Sequence, residues 1–315
     1  MTTSPMTTTE NRAVRLLARA TGLVTLILLV AGGLVTSKGA GMAVPDWPTS
    51  FGYNMFTFPV SAWIGPIAFE HVHRLLGSTV GLLTVALAVT VWRKDPRGWM
   101  RALAVVAVVT VIIQGVLGGL RVIHNAQLLA VIHGSFAHGF FALMIAMALS
   151  TTRLWEEANA SPIPPERAAG LRGLAVTAAA LVYGQILLGA RLRHFSGSVM
   201  LHLLGAVLVV TAVVAARQRI AMASPRSPAA RMAFVFQHMI WLQLLLGFIA
   251  YFAKMKAPIP EFAPWPAVML TVAHQVNGAL VFATSISTAL LVFRATAANL
   301  SSEPAAAEPT AGAGA

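Results

Sequence analysis

A chain of 315 residues with 57% hydrophobic and only 10% charged residues carries more apolar surface than a water-soluble globule of its size can bury. Its mean hydropathy is +0.75, and soluble domains carry about 25% charge. The formal charge of +12 is accounted for by membrane topology and anionic lipid rather than by nucleic acid, and the absence of cysteine excludes disulfides, thiolate metal sites and haem attached through paired cysteines.

Residues 1 to 10 are polar and precede a long apolar run with no small-residue cleavage site, so the first span is expected to stay rather than to be removed as a signal peptide. Apolar runs of roughly 20 residues, the length that crosses a hydrocarbon core about 30 Å thick, fall at 15–36, 66–92, 102–122, 128–150, 171–190, 198–216, 232–252 and 267–293. The fold class expected is an all-α polytopic membrane protein, with eight transmembrane helices arranged as two pseudo-symmetric four-helix bundles. The segment from Ser37 to Gly65 carries Trp47, Phe51, Tyr53, Phe56, Phe58 and Trp63, which suits a structured cap at the headgroup level. The chain divides into an N-terminal segment 1–14, a first half 15–150, a linker 151–170, a second half 171–293 and a tail 294–315. The tail is rich in Ala, Pro, Ser and Glu and reads as disordered.

Short loops rich in Lys and Arg stay in the cytoplasm. With the N-terminus inside, fifteen of the 22 basic residues fall on inner segments, and Lys38, Arg121, Arg191, Arg193, Lys254 and Lys256 fall outside. Both termini, and the linker, are therefore expected in the cytoplasm.

Three odd-numbered spans share the pattern Gln-x-x-Leu-Gly, at Gln114 to Gly118, Gln185 to Gly189 and Gln243 to Gly247. The even-numbered spans share a histidine followed by a small residue: His73 with Gly77, His133 with Ala137, His202 with Gly205 and His274 with Gly278. Each histidine comes soon after its span enters from outside, which sets all four roughly 6 to 10 Å deep at one level. His73 and His202 are 129 residues apart and His133 and His274 are 141 apart, so the chain reads as two copies of a four-helix unit with two histidines each.

An ionisable residue inside a membrane span is a functional candidate by default. The bland alternative is a neutral histidine hydrogen-bonded across helices. Zinc needs further ligands and copper recruits more nitrogen or sulfur donors, whereas haem needs only two axial ligands. The pairs expected to ligate haem iron are His73 with His133 and His202 with His274. Arg121, Arg191 and Arg193 stand at the outer rim, where guanidinium groups suit haem propionates, or else simply anchor helix ends. Glu70 is the only one of the ten acidic residues inside an expected span, three before His73 and four before Arg74. It is read either as a proton donor or acceptor beside bound haem or as an ion pair with Arg74. His71, His124 and His194 are expected to be interfacial, His138 is placed to line the pocket of His133, and His238 is unassigned.

The stretches Pro45-Asp46-Trp47-Pro48, Glu70-x-x-His73-Arg74-Leu75-Leu76-Gly77, Ile132-His133-Gly134, Leu201-His202-Leu203-Leu204-Gly205-Ala206 and Ala273-His274-Gln275-x-Asn277-Gly278-Ala279 resemble, in this order, the haem A synthase family. The resemblance covers all eight spans. It implies an oxidoreductase of the bacterial cytoplasmic membrane that oxidises the C8 methyl of haem O to the formyl group of haem A for terminal oxidase biogenesis. It also implies haem b as cofactor on His202 and His274, haem O as substrate on His73 and His133, and Glu70 as a functional acid. The implied partners are haem O, the haem O synthase that makes it, the lipid bilayer and an electron donor that the sequence does not identify. No nucleic-acid partner is implied, and the oligomeric state, homo-oligomers included, is left open. The chain departs from the pattern in lacking the cysteine pair that many bacterial members carry in the first outer segment, so no mechanism that relies on that pair operates here.

Two rival readings share the histidine pairs. One is a di-haem b-type protein that only carries electrons, and the other is a haem carrier or assembly factor that leaves haem unaltered. Both predict that no modified haem is produced.

Overall fold

The structure, a computed structural model, describes residues 12–195, 197–256, 259 and 262–297. The expected N-terminal segment up to residue 11 and the expected tail from residue 298 onward lie outside the described residues. The helices are α1 (Arg12–Ser37), α2 (Pro66–Lys94), α3 (Gly98–Ile123), α4 (Gln127–Leu149), α5 (Arg153–Asn159), α6 (Pro165–Phe195), α7 (Val199–Ala223), α8 (Pro228–Met255) and α9 (Trp265–Ala297). All except α5 are long and apolar enough to cross a membrane, as the eight expected spans require. In lipid every backbone N–H and C=O must be satisfied within the segment, which a helix does by itself.

Local sequence sets where several helices begin. Ser198 Oγ accepts from Leu201 N at the start of α7 and Ser227 Oγ from Ala230 N at the start of α8, and both α2 and α8 open on proline. A side-chain acceptor satisfies one of the donors a first turn leaves open, and proline lacks the donor that would be orphaned there.

Helices α1 to α4 pack as a closed ring, each on the next and α4 back on α1, and α6 to α9 form a second ring in the same order. The halves meet where α4 lies on α9, with α1 against α9 and α6 against α4. Exchanging the halves maps α4–α9 onto itself and α1–α9 onto α6–α4, so the joint has the pseudo-twofold character expected from the repeat. At this joint Leu29, Phe141, Val182, Phe236, Ala279 and Phe282 belong to one buried cluster. α9 is the central helix, with 61% of its membrane-length window buried against 17–33% for the others. The remaining spans turn Leu, Ile and Val outward, Leu82 and Val207 among them, as lipid-facing surfaces do.

Helix also forms outside the expected spans: α1 starts at Arg12, α5 and the first turns of α6 lie within 151–170, and α9 continues through Arg294 to Ala297. In the last two cases the reason is packing between these segments. The Arg294 guanidinium lies 5.3 Å from the centre of the Trp155 ring, Ile163 N donates to Ala295 O at 3.2 Å and Arg172 Nε donates to Thr296 Oγ1 at 2.6 Å.

Candidate functional site: two histidine pairs beneath a folded cap

Every even-numbered span carries its histidine against a glycine of the preceding span. His73 rests on Gly32, His133 on Gly118, His202 on Gly189 and His274 on Gly247; a Cβ at these glycines would sit 3.1, 3.1, 3.2 and 2.8 Å from the imidazole Cε1. Such clearance admits only glycine without moving the ring. The four seats thus have one design, and each lies in the half of its helix nearest the segment between α1 and α2.

The Gln-x-x-Leu-Gly repeat is part of these seats, since its glutamine stands one turn before the glycine on the same helix face. Gln114 Nε2 donates to His133 O at 2.9 Å, and Gln185 Nε2 donates to His202 O at 2.7 Å while lying 3.1 Å from the ring Nδ1. Gln243 Nε2 lies 3.4 Å from His274 Nε2, and its Oε1 accepts from Asn277 Nδ2 at 2.8 Å. The sequence shows the motif but not its task, because nothing in a single chain tells which helix a glycine will face. Gln114, Gln185, Gln243 and Asn277 are the site residues that sequence reasoning missed.

In the first half the structure brings the expected pair together, with His73 and His133 ring centres 6.5 Å apart and their planes at 84°. Two imidazoles bonded to one metal from opposite sides at about 2 Å each leave their ring centres roughly 6 Å apart. The buried Nδ1 atoms of His73, His133 and His274 have no hydrogen-bond partner, and among the described residues no group of three or more His, Asp or Glu could hold a bare ion. The residues present fit a group that takes two axial nitrogens, as haem does. In the second half His202 and His274 rest on the matching glycines, Gly189 and Gly247.

The three arginines separate. Arg121, three residues past Gly118, donates through Nη2 to Gly41 O at 2.8 Å. Arg193, four past Gly189, reaches the joint between the halves, donating to Ser37 Oγ at 2.7 Å and Gln275 Oε1 at 3.2 Å. Arg191 is exposed, and two residues of helix turn it roughly 160° away from Arg193, so the structure does not direct both toward one site.

Glu70 is buried and has both oxygens engaged. Oε1 pairs with Arg74 Nη2 at 2.7 Å and Oε2 accepts from Val44 N at 3.0 Å. Arg74 also donates to the carbonyls of Val44, Asp46 and Thr49 at 2.7–2.9 Å, so it pins the cap onto α2. The ion pair weighed from the sequence is present.

The aromatic segment folds as expected of a cap. Asp46 accepts from Phe51 N at 2.7 Å, Gly52 N at 2.9 Å and Thr49 Oγ1 at 2.5 Å, which holds Phe51 and Gly52 at φ 53° and 78°. Partial burial raises the Asp46 pKa, but the hydrogen bonds from Gly52, Thr49 and Phe51 outweigh it and bring the carboxyl down to about 2. The Trp47 indole covers Gly119 of α3, where no Cβ fits.

The minor histidines bring one correction. His71 is not interfacial: it is fully buried under the cap, 4.7 Å from the Trp63 ring and 5.0 Å from that of Phe58, with Nδ1 3.3 Å from Ser50 Oγ. His138 is buried with Nδ1 2.7 Å from Gly134 O, and five residues turn it off the His133 face toward Gln275 of α9. His124 is exposed at the end of α3, His194 lies in the last turn of α6, and His238 is exposed on α8 against Phe234.

Residues 61–201 match the COX15-CtaA family, described as cytochrome oxidase assembly protein. That stretch takes in His73 and His133 and ends one residue before His202. Similar proteins named Heme A synthase come from Shouchella clausii, 31% identical over 58% of this chain and 60% of that protein, and Halalkalibacterium halodurans, 28% identical over 58% and 60%. Another, from Bacillus licheniformis, is 33% identical over 44% of this chain and 45% of that protein. The chain thus spans about 60% of the length of the first relatives it matches. The chain is thus similar to the COX15-CtaA family across residues 61–201, the stretch that carries Glu70, His73 and His133, and to these proteins named Heme A synthase over part of their length.

Proposed function

We propose that this multi-pass membrane protein is a haem A synthase, an oxidoreductase of haem biosynthesis that oxidises the C8 methyl of haem O to a formyl group in the bacterial inner membrane, with both termini cytoplasmic. The observation that carries the reading is the facing of His73 and His133, each on its glycine seat, with His202 and His274 on glycine seats of the same design in the second half. The first half, 15–150, takes the substrate haem O on His73 and His133, and the second, 171–293, holds haem b on His202 and His274. When bound, haem b supplies one-electron redox chemistry. The protein's part is to orient both macrocycles through the four imidazoles and to place guanidinium donors near the carboxylates.

Arg121 beside the first pair and Arg193 at the joint between the halves are the residues assigned to propionates, because each keeps donors beyond those it spends on the protein. Arg191 serves only as a rim cation. Glu70 shares a face of α2 with His73, and its assigned role is to exchange protons beside the substrate while Arg74 and Val44 N hold its carboxylate in place. The haem O synthase delivers substrate, and a separate donor or acceptor exchanges electrons.

Pigment extracted after co-expression with a source of haem O and resolved by reversed-phase chromatography tests the reading. Haem A is expected with the intact protein and is expected to vanish in His73→Ala and His133→Ala. Haem b alone, with haem O unchanged, would leave an electron carrier or a haem carrier as the function.

A further inference from the structure

Helices α7 and α8 enclose a groove that the haem reading does not use. Leu203, Val207, Val210, Arg217 and Ala221 share one face of α7, because each stands three, four or seven residues from the next. In the half nearer the histidines, Leu203, Ala206, Val207, Val210 and Thr211 line an apolar hollow of about 350 Å³ with Leu244 of α8. At the other end, by the turn into α8, Arg217 and Ala221 line a second hollow of about 390 Å³ with Arg231, Phe234 and Val235. The two arginines at this mouth differ. Arg231 pairs with Glu157 of α5. Arg217 is half-buried with its guanidinium 6.0 Å from the centre of the Phe234 ring, and His238, unassigned from the sequence, packs on that ring at 4.1 Å. Among the described residues no carboxylate pairs with Arg217 and no acceptor takes its N–H groups. Stacking on an aromatic face leaves the in-plane donors of a guanidinium free, and such planar donors suit a phosphate.

An unspent cation at the mouth of an otherwise apolar groove calls for an anion that carries its own hydrocarbon. We propose that the groove between α7 and α8 binds one anionic phospholipid, its phosphate on Arg217 beside Arg231 and an acyl chain along Val210, Val207 and Leu244. Glu157 already neutralises Arg231, so Arg217 carries the selectivity for charge. Length agrees with this occupant. Val207 is ten residues from Arg217, roughly 15 Å of helix, which is half of a hydrocarbon core about 30 Å thick and so the reach of one leaflet's chains. With the termini cytoplasmic, as proposed above, the mouth opens to the cytoplasmic leaflet, where anionic lipid is concentrated and basic pockets between spans bind its headgroups. Phe234 acts as a positioning residue, holding the guanidinium at the mouth with His238 packed on its ring. The site touches none of the four histidines assigned to haem and stands independently of the haem reading.

The test titrates the full-length protein in detergent with lipid and counts bound molecules by native mass spectrometry. The probes are phosphatidylglycerol, phosphatidylcholine with the same chains, and inorganic phosphate as a competitor. The first phosphatidylglycerol is expected to bind about fivefold more tightly than the first phosphatidylcholine, the worth of one basic residue near anionic lipid. Excess phosphate is expected not to displace it, because phosphate brings no chain for the groove. Arg217→Gln is expected to abolish the preference while phosphatidylcholine binds as before, which shows the variant to be folded. Arg219→Gln removes the same charge two residues on, roughly 160° round the helix, and is expected to keep the preference. The proposal is overturned if the two lipids bind alike, if phosphate displaces phosphatidylglycerol, or if Arg217→Gln retains the preference. It is equally overturned if Arg219→Gln matches Arg217→Gln, which would mean unspecific surface charge, or if the protein is a lipid-free dimer with a second copy in the groove.

Discussion

At the scale of single residues, the Glu70–Arg74 pair shows how a membrane protein keeps charge near its core. Both side chains are under a tenth exposed, at 5% and 9%, and every contact between them and the cap is a charge-assisted hydrogen bond. Removing one member of such a pair leaves the other buried and uncompensated, at a cost of about 3–5 kcal/mol. Arg74→Ala is therefore expected to lower the melting temperature of the detergent-solubilised protein sharply, whereas Glu70→Gln/Arg74→Met, which removes both charges at similar volume, is expected to cost much less. The pair was legible in the sequence from its spacing of four on a helix. Its partners Val44, Asp46 and Thr49 were not, because they belong to a segment without periodicity.

At the scale of elements, the cap between α1 and α2 is organised by one carboxylate. Asp46 ionised accepts two backbone N–H groups and a hydroxyl; protonated, it loses most of that capacity. Since its folded pKa, about 2, lies below the ordinary 3.8, its contribution to cap stability is full above about pH 4 and is lost as pH falls toward 2. Cleavage of the 38–65 segment by an acid-active protease is expected to rise across that window in the parent protein. Asp46→Asn is expected to show raised cleavage already at neutral pH, where a protease active at that pH is the probe. A pH-independent cleavage rate in the parent would mean that Asp46 does not hold the cap.

At the scale of the whole molecule, the two rings of helices are joined by side chains that a soluble protein would use for its core. Phe141 of α4 is 1% exposed within the cluster that spans the joint. Lipid tails are as apolar as the protein interior, so the transfer part of its burial is small and the cavity part remains. Phe141→Ala is expected to cost about 2–3 kcal/mol, measured by unfolding in mixed micelles, with all four histidine seats left in place because none uses Phe141.

The eight spans, the repeat of four, the facing of His73 with His133 and the aromatic cap were all legible from composition, run length and spacing, because lipid forces each spanning segment to satisfy its own backbone. Span number and histidine depth are local properties and need no knowledge of neighbours. Which glycine faces which histidine depends instead on how helices rotate against one another. So do the separation of Arg191 from Arg193, the burial of His71 and the continuation of α9 to Ala297, and these only the tertiary structure decided.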